Sequence, residues 1–263
     1  MPAAGNYPMD VRQSTLSAER ILRRLERWDI AAIGLHPGGS NYVFVVRLEP
    51  PEDAGEQEGE EGAEPLFAVY KPQAGERPLR DFPLGSLHRR ERAAYVLAES
   101  LGWPAIPPTV VRGDPYGPGS VQLFIDAEPE QNFFTLRDTD LAAFEPVAAF
   151  DVLVNNADRK GSSCLKDSAG RLWAIDHGLT FNPFARPRTV MHEFCGRTYS
   201  ARIVASLETL QGKLGPSGAL ARALDALLEP GETDALRVRL TRILEEPAFP
   251  LLDPRLNVPW PFL

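Results

Sequence analysis

The stretch "DVLVNNADRKGSSCL", Asp151 to Leu165, places an Asp-Arg-Lys triplet at 158–160 after an apolar run and follows it with three small residues and a cysteine. Eighteen residues beyond Asp158, the run "LWAIDHGLTF" reads as a second apolar strand that ends on a carboxylate, Asp176. Two carboxylates on neighbouring short elements, with an arginine and a lysine beside the first, suit phosphoryl transfer. Asp158 would orient or deprotonate an acceptor hydroxyl, and Asp176 would bind Mg²⁺ bridging the phosphates. Arg159 and Lys160 would offset local negative charge. The same letters also fit a β-hairpin with one surface Asp and one buried Asp capping its own turn.

The elements on either side narrow the choice. Residues 14–29 space Leu16, Ile21, Leu22, Leu25 and Trp28 at helical intervals among charged residues, which predicts an amphipathic helix over the first lobe. "AAIGLHPGGSNYVFVVRLE" predicts a hairpin. Residues 50–65 hold seven acids, no base and almost nothing apolar, so a solvated, disordered loop is expected there. "LFAVYKP" resumes the sheet, and "GSLHRRERAAYVLAESLG" predicts a helix stopped at Gly102. Two further strands flank a Gly/Pro-rich turn in "IPPTVVRGDPYGPGSVQLFID". From about residue 133 the pattern turns helical, with predicted helices over 140–154, 200–214, 217–229 and 232–246. Trp260, Phe262 and Leu263 of the Pro-rich tail are expected to pack back on the fold. The sum is an α+β, bilobal, protein-kinase-like fold: an N-terminal antiparallel sheet lobe with a helix over 1–126, and a mainly helical C-terminal lobe over 127–263.

Composition excludes other classes. At 263 residues and 43% hydrophobic content, the chain can bury a large core. A net charge of −8 argues against nucleic acid as the main partner. Cys164 and Cys195 have no paired spacing, so neither a disulfide framework nor a zinc site is indicated, and a cytoplasmic location is expected. No apolar run approaches the roughly 18 residues of a membrane span, so no anchor is expected.

Lysine is rare, at Lys71, Lys160, Lys166 and Lys213, against 24 arginines. Lys71 ends a sheet strand, where a phosphate-holding lysine would lie, and Glu91 on the next helix is its candidate partner. Glu91 also fits a solvated charged face paired by i,i+4 contacts. Gly38, Gly39, Ser40 and Asn41 in "HPGGSN" could close over phosphates, since glycines let backbone N–H groups approach oxygens, and a plain hairpin turn explains them equally. His177 has no metal-ligand spacing with the other histidines and reads as a packed structural residue. Cys164 reads as a small buried hydrophobe.

"NNADRKGSS" followed by "AIDHGLTF" resembles the catalytic and metal loops of the phosphatidylinositol 3-/4-kinase-like superfamily, a plan shared by HipA-type bacterial kinases. With "AVYKPQAGERPL", "PPTVVRGDPYGPGSVQLF" and "PWPF", the chain is similar to uncharacterised bacterial proteins of that phosphatidylinositol-kinase-like kind. The resemblance implies ATP and Mg²⁺ as cofactors, Lys71 on the phosphates, Glu91 paired with it, and Gln122, Leu123 and Phe124 as the adenine hinge. It further implies Asp158 as catalytic aspartate and Asp176 as chief metal ligand. Ser163 stands where those families place an asparagine or histidine metal ligand, Lys160 where they place histidine, and His177 where they place phenylalanine. A phosphotransferase acting on a protein or small molecule rather than a lipid is therefore expected. A nucleotide-binding pseudokinase and an AMP-transferring enzyme are the alternatives.

Overall fold

The computed structural model describes residues 16–35, 42–51, 63–128 and 130–263. The predicted phosphate loop at Gly38–Asn41, and 52–62 of the acidic stretch, lie outside these residues.

Helix α1 (Ala18–Arg27) opens the described chain, two to four residues inside its predicted limits, because the Ser17 side chain accepts from Arg20 N and sets its N-terminus. Strands β1 (Asp29–Leu35), β2 (Phe44–Glu49), β3 (Leu66–Pro72), β4 (Thr109–Arg112) and β5 (Gly119–Leu123) form an antiparallel sheet in the order β1-β2-β3-β5-β4. Alternation along β3 decides which face each side chain serves. Leu66, Ala68 and Tyr70 join Val46, Val110 and Val121 under Ile21, Leu25 and Trp28 of the α1 segment, closing the outer face. Phe67, Val69 and Lys71 are left on the opposite face. Arg112 on β4 donates to the main-chain oxygens of Leu25 and Trp28, at 3.2 and 2.8 Å, and so caps the end of α1.

Helix α2 (Leu87–Leu101) ends at Gly102, which takes the left-handed conformation (φ 78°) that a side chain would disfavour. Although α2 falls between β3 and β4 in sequence, Ala94, Leu97 and Ala98 are buried in the core of the helical lobe. Ion pairs from Arg89 to Glu229 (2.6 Å) and from Arg90 to Glu232 (2.8 Å) hold it there.

The helical lobe comprises α3 (Phe133–Asp140), α4 (Glu145–Val154), α5 (Ala201–Lys213), α6 (Ala219–Asp225) and α7 (Glu232–Glu245). The helix predicted over 140–154 is shorter than expected. Residues 141–144 form a tight 3₁₀ turn, and Pro146, which has no N–H to give, sits in the first turn of α4 instead of inside it. A small hairpin of β6 (Cys164–Lys166) and β7 (Leu172–Ala174) projects beside α4.

The tail returns only in part. Asn257 O accepts from Thr189 N and Phe262 O from Gly161 N, the latter at 2.8 Å, and the Phe262 ring packs edge-on to Phe134. Trp260 was expected to pack on the fold but is 83% exposed, because its contact is with the Phe262 ring and not with the core. Among the described residues, no helix is long and apolar enough to cross a membrane.

Candidate active site

The inner face of the sheet meets α2 and the loops flanking the small hairpin. There Lys71 Nζ donates to Glu91 Oε1 and to Asp176 Oδ1, each at 2.6 Å. Burial alone would lower the Lys71 ammonium, but Asp176 and Glu91 outweigh it and hold it above its ordinary range. Lys71 in turn holds the Asp176 carboxyl down at about 2. A lysine from the sheet lobe, a glutamate from α2 and an aspartate from the helical lobe thus converge on one point.

Glu91 does two things. Its second oxygen, Oε2, accepts from the main-chain N–H of His177 at 2.9 Å, so the carboxylate that orients Lys71 also places the residue after Asp176. Of the two readings open for Glu91, the structure supports the paired one, since the residue is buried.

Asp176 does not end the strand as predicted. Strand β7 stops at Ala174, and Asp176 has φ 59°, a left-handed conformation that swings its carboxylate back toward β3. That conformation leaves the side chain 52% exposed while it touches Lys71, and Ser163 Oγ donates to its Oδ2 at 3.4 Å.

Asp158 lies on the loop after α4. Its main-chain N–H donates to Asn156 Oδ1 at 2.9 Å, and its carboxylate pairs with Lys160 Nζ at 3.2 Å. Burial pushes the Asp158 carboxyl up, Lys160 opposing, which makes it a stronger proton acceptor than a free aspartate.

Arg159, expected to offset local negative charge, has no exposed surface and does so from inside the fold. Its guanidinium grips Asp151 through two bonds (2.7 and 2.9 Å) and donates to the main-chain oxygens of Ser163 and Ile175 at 3.0 and 2.9 Å. It also donates to His177 Nε2 at 2.8 Å. Because arginine can only donate, His177 Nε2 must accept, which leaves the ring neutral with its proton on Nδ1. Burial, then Arg159, keeps His177 well below its ordinary range, so it is the packed structural histidine expected. Arg159 therefore ties together the loops that carry Asp158 and Asp176.

Asp151 and Asn156 were missed as site-supporting residues. A carboxylate inside the apolar run "AAFDVLV" was the available signal, because a buried acid needs a cation within reach.

Gln122 is buried and donates to Thr109 Oγ1, while the N–H groups of Leu123 and Phe124 donate to Pro108 O and Phe67 O. These internal bonds remove both N–H groups as ready donors to a ligand. Cys164 is fully buried and its thiol pushed up to about 12, as a core residue and not a nucleophile.

The oxygen-only set of Asp176 and Ser163 suits a hard divalent cation. Among the described residues, no group of three His, Cys, Asp or Glu side chains stands ready to hold a metal, so a cation here would complete its shell with phosphate oxygens and water.

An antiparallel five-stranded lobe against a helical lobe, with Lys71, Glu91 and Asp176 at their junction, defines a bilobal kinase-like fold. Solved structures agree on that fold. Golgi casein kinase with Mn/ADP bound aligns with a TM-score of 0.55 at 16% identity, covering 87% of this chain and 74% of that one. The proinflammatory kinase CtkA of Helicobacter pylori aligns with a TM-score of 0.52 at 12% identity, covering 85% and 94%. No family model matches the sequence. Over 235 residues the chain is 35% identical to Protein Rv2133c of Mycobacterium tuberculosis (strain ATCC 25618 / H37Rv), spanning 76% of this chain and 84% of the relative. The chain belongs to the same family as Rv2133c.

Proposed function

We propose that the chain is an ATP-dependent phosphotransferase assisted by Mg²⁺, of the phosphatidylinositol 3-/4-kinase-like kind, acting in the cytoplasm on a protein or small molecule. The observation that supports it best is the bridge Glu91–Lys71–Asp176, with both contacts at 2.6 Å. Residues 1–126 and 127–263 are the two lobes in this reading, with α2 reaching from the first into the core of the second.

Each residue then has a task. Lys71, fixed by Glu91, holds the nucleotide phosphates; Gly38, Gly39, Ser40 and Asn41 close over them, and the Gln122–Phe124 segment borders adenine. Asp176 and Ser163 hold the cation, which when bound neutralises phosphate charge. Asp158 takes the proton of the acceptor hydroxyl as its oxygen bonds the γ-phosphorus, and the bond from that phosphorus to the β–γ bridging oxygen breaks to leave ADP. Lys160, on the Asp158 carboxylate, supplies positive charge beside the transferring group.

Ser163 supports a second reading. A hydroxyl is a poorer metal ligand than an amide or imidazole, so a nucleotide-binding module without turnover is the runner-up, with AMP transfer third. Incubation with ATP labelled at the γ- or the α-phosphate, with and without added protein acceptors, separates them. Movement of the γ label to an acceptor is the expected result. Movement of the α label identifies AMP transfer, and saturable binding with neither label transferred identifies the pseudokinase.

A further inference from the structure

A cavity of about 830 Å³ opens in the helical lobe between α4, α7 and the segment 248–252. Its volume is that of a small-molecule site, which typically spans about 300–1,000 Å³. Met191, Phe194, Ile243 and Phe249 make its walls apolar, and all four are buried core residues.

Into this apolar space α7 brings Arg239. Arg239 lines the cavity; its Nε donates to Leu153 O at 2.8 Å, its Nη2 is enclosed without a partner, and its Nη1 is neither bonded nor enclosed. Among the described residues no carboxylate lies within ion-pair distance of Arg239, and Glu232, which influences it from farther off, is paired with Arg90. Burial lowers the guanidinium to about 10, the direction expected of a cation short of compensation. The other charged lining groups are Asp151, Arg242 and Glu246. Asp151 is satisfied by Arg159 and Asn156. Arg242 and Glu246 are exposed and opposite in sign, which leaves Arg239 as the uncompensated charge.

We propose that this cavity binds an amphipathic carboxylate, its head on Arg239 and its hydrocarbon against Met191, Phe194, Ile243 and Phe249. A small inorganic anion would leave the apolar walls in water, and a neutral hydrocarbon would leave the guanidinium unpaired. Only a ligand with both parts answers both demands. The same cavity is walled on one side by Asn155 and Asn156, and Asn156 accepts the Asp158 N–H, so an occupant touches the support of the Asp158 loop. The site stands whether or not the chain transfers phosphate.

The test is calorimetric titration of the full chain with decanoate below its micelle concentration, beside 1-decanol and decyltrimethylammonium of equal chain length. Decanoate should bind at one site and more tightly than either matched probe. Arg239→Gln should weaken decanoate by about tenfold to a hundredfold, the size of a charged hydrogen bond. Ala248→Trp, which fills the cavity from the 248–252 segment, should abolish binding and stands in if Arg239→Gln fails to fold. Bound decanoate should also slow amide exchange over 155–158 and 191–196. Equal binding of decanoate and decanol, binding unchanged by the folded variants, or no binding of decanoate would each overturn the assignment.

Discussion

The guanidinium of Arg159 closes on the carboxylate of Asp151 with two bonds, Nε to Oδ2 at 2.7 Å and Nη2 to Oδ1 at 2.9 Å, directly beneath the loop that bears Asp158. Both groups are buried, so removing either would leave the other's charge enclosed without a partner. Arg159→Met should therefore destabilise the chain by about 3–5 kcal/mol, the cost of leaving a buried charge unpaired. Urea unfolding measures it. The double variant Arg159→Met/Asp151→Leu should be more stable than Arg159→Met alone, and a double variant no better than the single would show that the pairing is not the source of the loss.

Lys71→Met should weaken nucleotide binding by about tenfold to a hundredfold, since it removes one charged hydrogen bond to phosphate. It should also raise the Asp176 carboxyl from about 2 toward 3.8. The sign follows from linkage: a depressed carboxyl stabilises the fold above its unfolded value of 3.8 and loses that contribution as pH falls through about 2. Carbon-detected NMR titration of the Asp176 carboxyl reads the shift, and an unmoved carboxyl would mean Lys71 is not what holds it down.

Asp176→Asn should remove the metal dependence of nucleotide affinity, and Ser163→Asn should strengthen it by returning an amide oxygen to the cation. Fluorescent-nucleotide binding across a Mg²⁺ series, with Mn²⁺ as comparison, distinguishes these outcomes. Equal metal dependence in Asp176→Asn and the parent would place the cation elsewhere.

Asp158→Asn should lower turnover by about a hundredfold or more, the usual share of a general base, and leave nucleotide affinity near the parent value. The Asp158 carboxyl is raised by burial, so its ionised form costs stability at neutral pH, and that cost disappears below 3.8. Asp158→Asn should accordingly be more heat-stable than the parent at pH 7 and lose the advantage in acid. Paired thermal melts at the two pH values, with a turnover assay, check both halves.

Removing residues 259–263 should slow turnover by about tenfold or more while leaving most of the nucleotide affinity. Phe262 O accepts the Gly161 N–H, and a Cβ on Gly161 would meet the Phe134 ring at 2.6 Å, so the loop between Lys160 and Ser163 is tightly seated between α3 and the tail. Small displacements of such a loop are costly to positioned chemistry. Comparing turnover with nucleotide affinity in the truncated chain tests this, and a loss confined to affinity would argue against it.

Much of the molecule was legible in the residues. Period-2 and period-3.6 patterns located the strands around Lys71 and the helix carrying Glu91, because side-chain alternation reflects which face meets the core. Lysine is scarce, which sets Lys71 apart, and a charged triplet after an apolar run marks Asp158. The limits lay where distant parts of the chain act on one another. Arg159 reads in sequence as a cation offsetting local charge, and only packing shows that Asp151, eight positions earlier and inside an apolar helix, turns it inward. Glu91 fits a surface charge in sequence, and only the burial of α2 against the helical lobe, with Arg90 bonded to Glu232, makes it an enclosed partner for Lys71. Asp176 was expected at the end of a strand, but its left-handed backbone two residues past β7 is what carries it to Lys71, 105 positions away. Local pattern determines which elements form, because propensity and alternation are short-range. Which charges meet is decided by the fold, because burial makes an unpaired ion costly and so selects partners without regard to their separation in the chain.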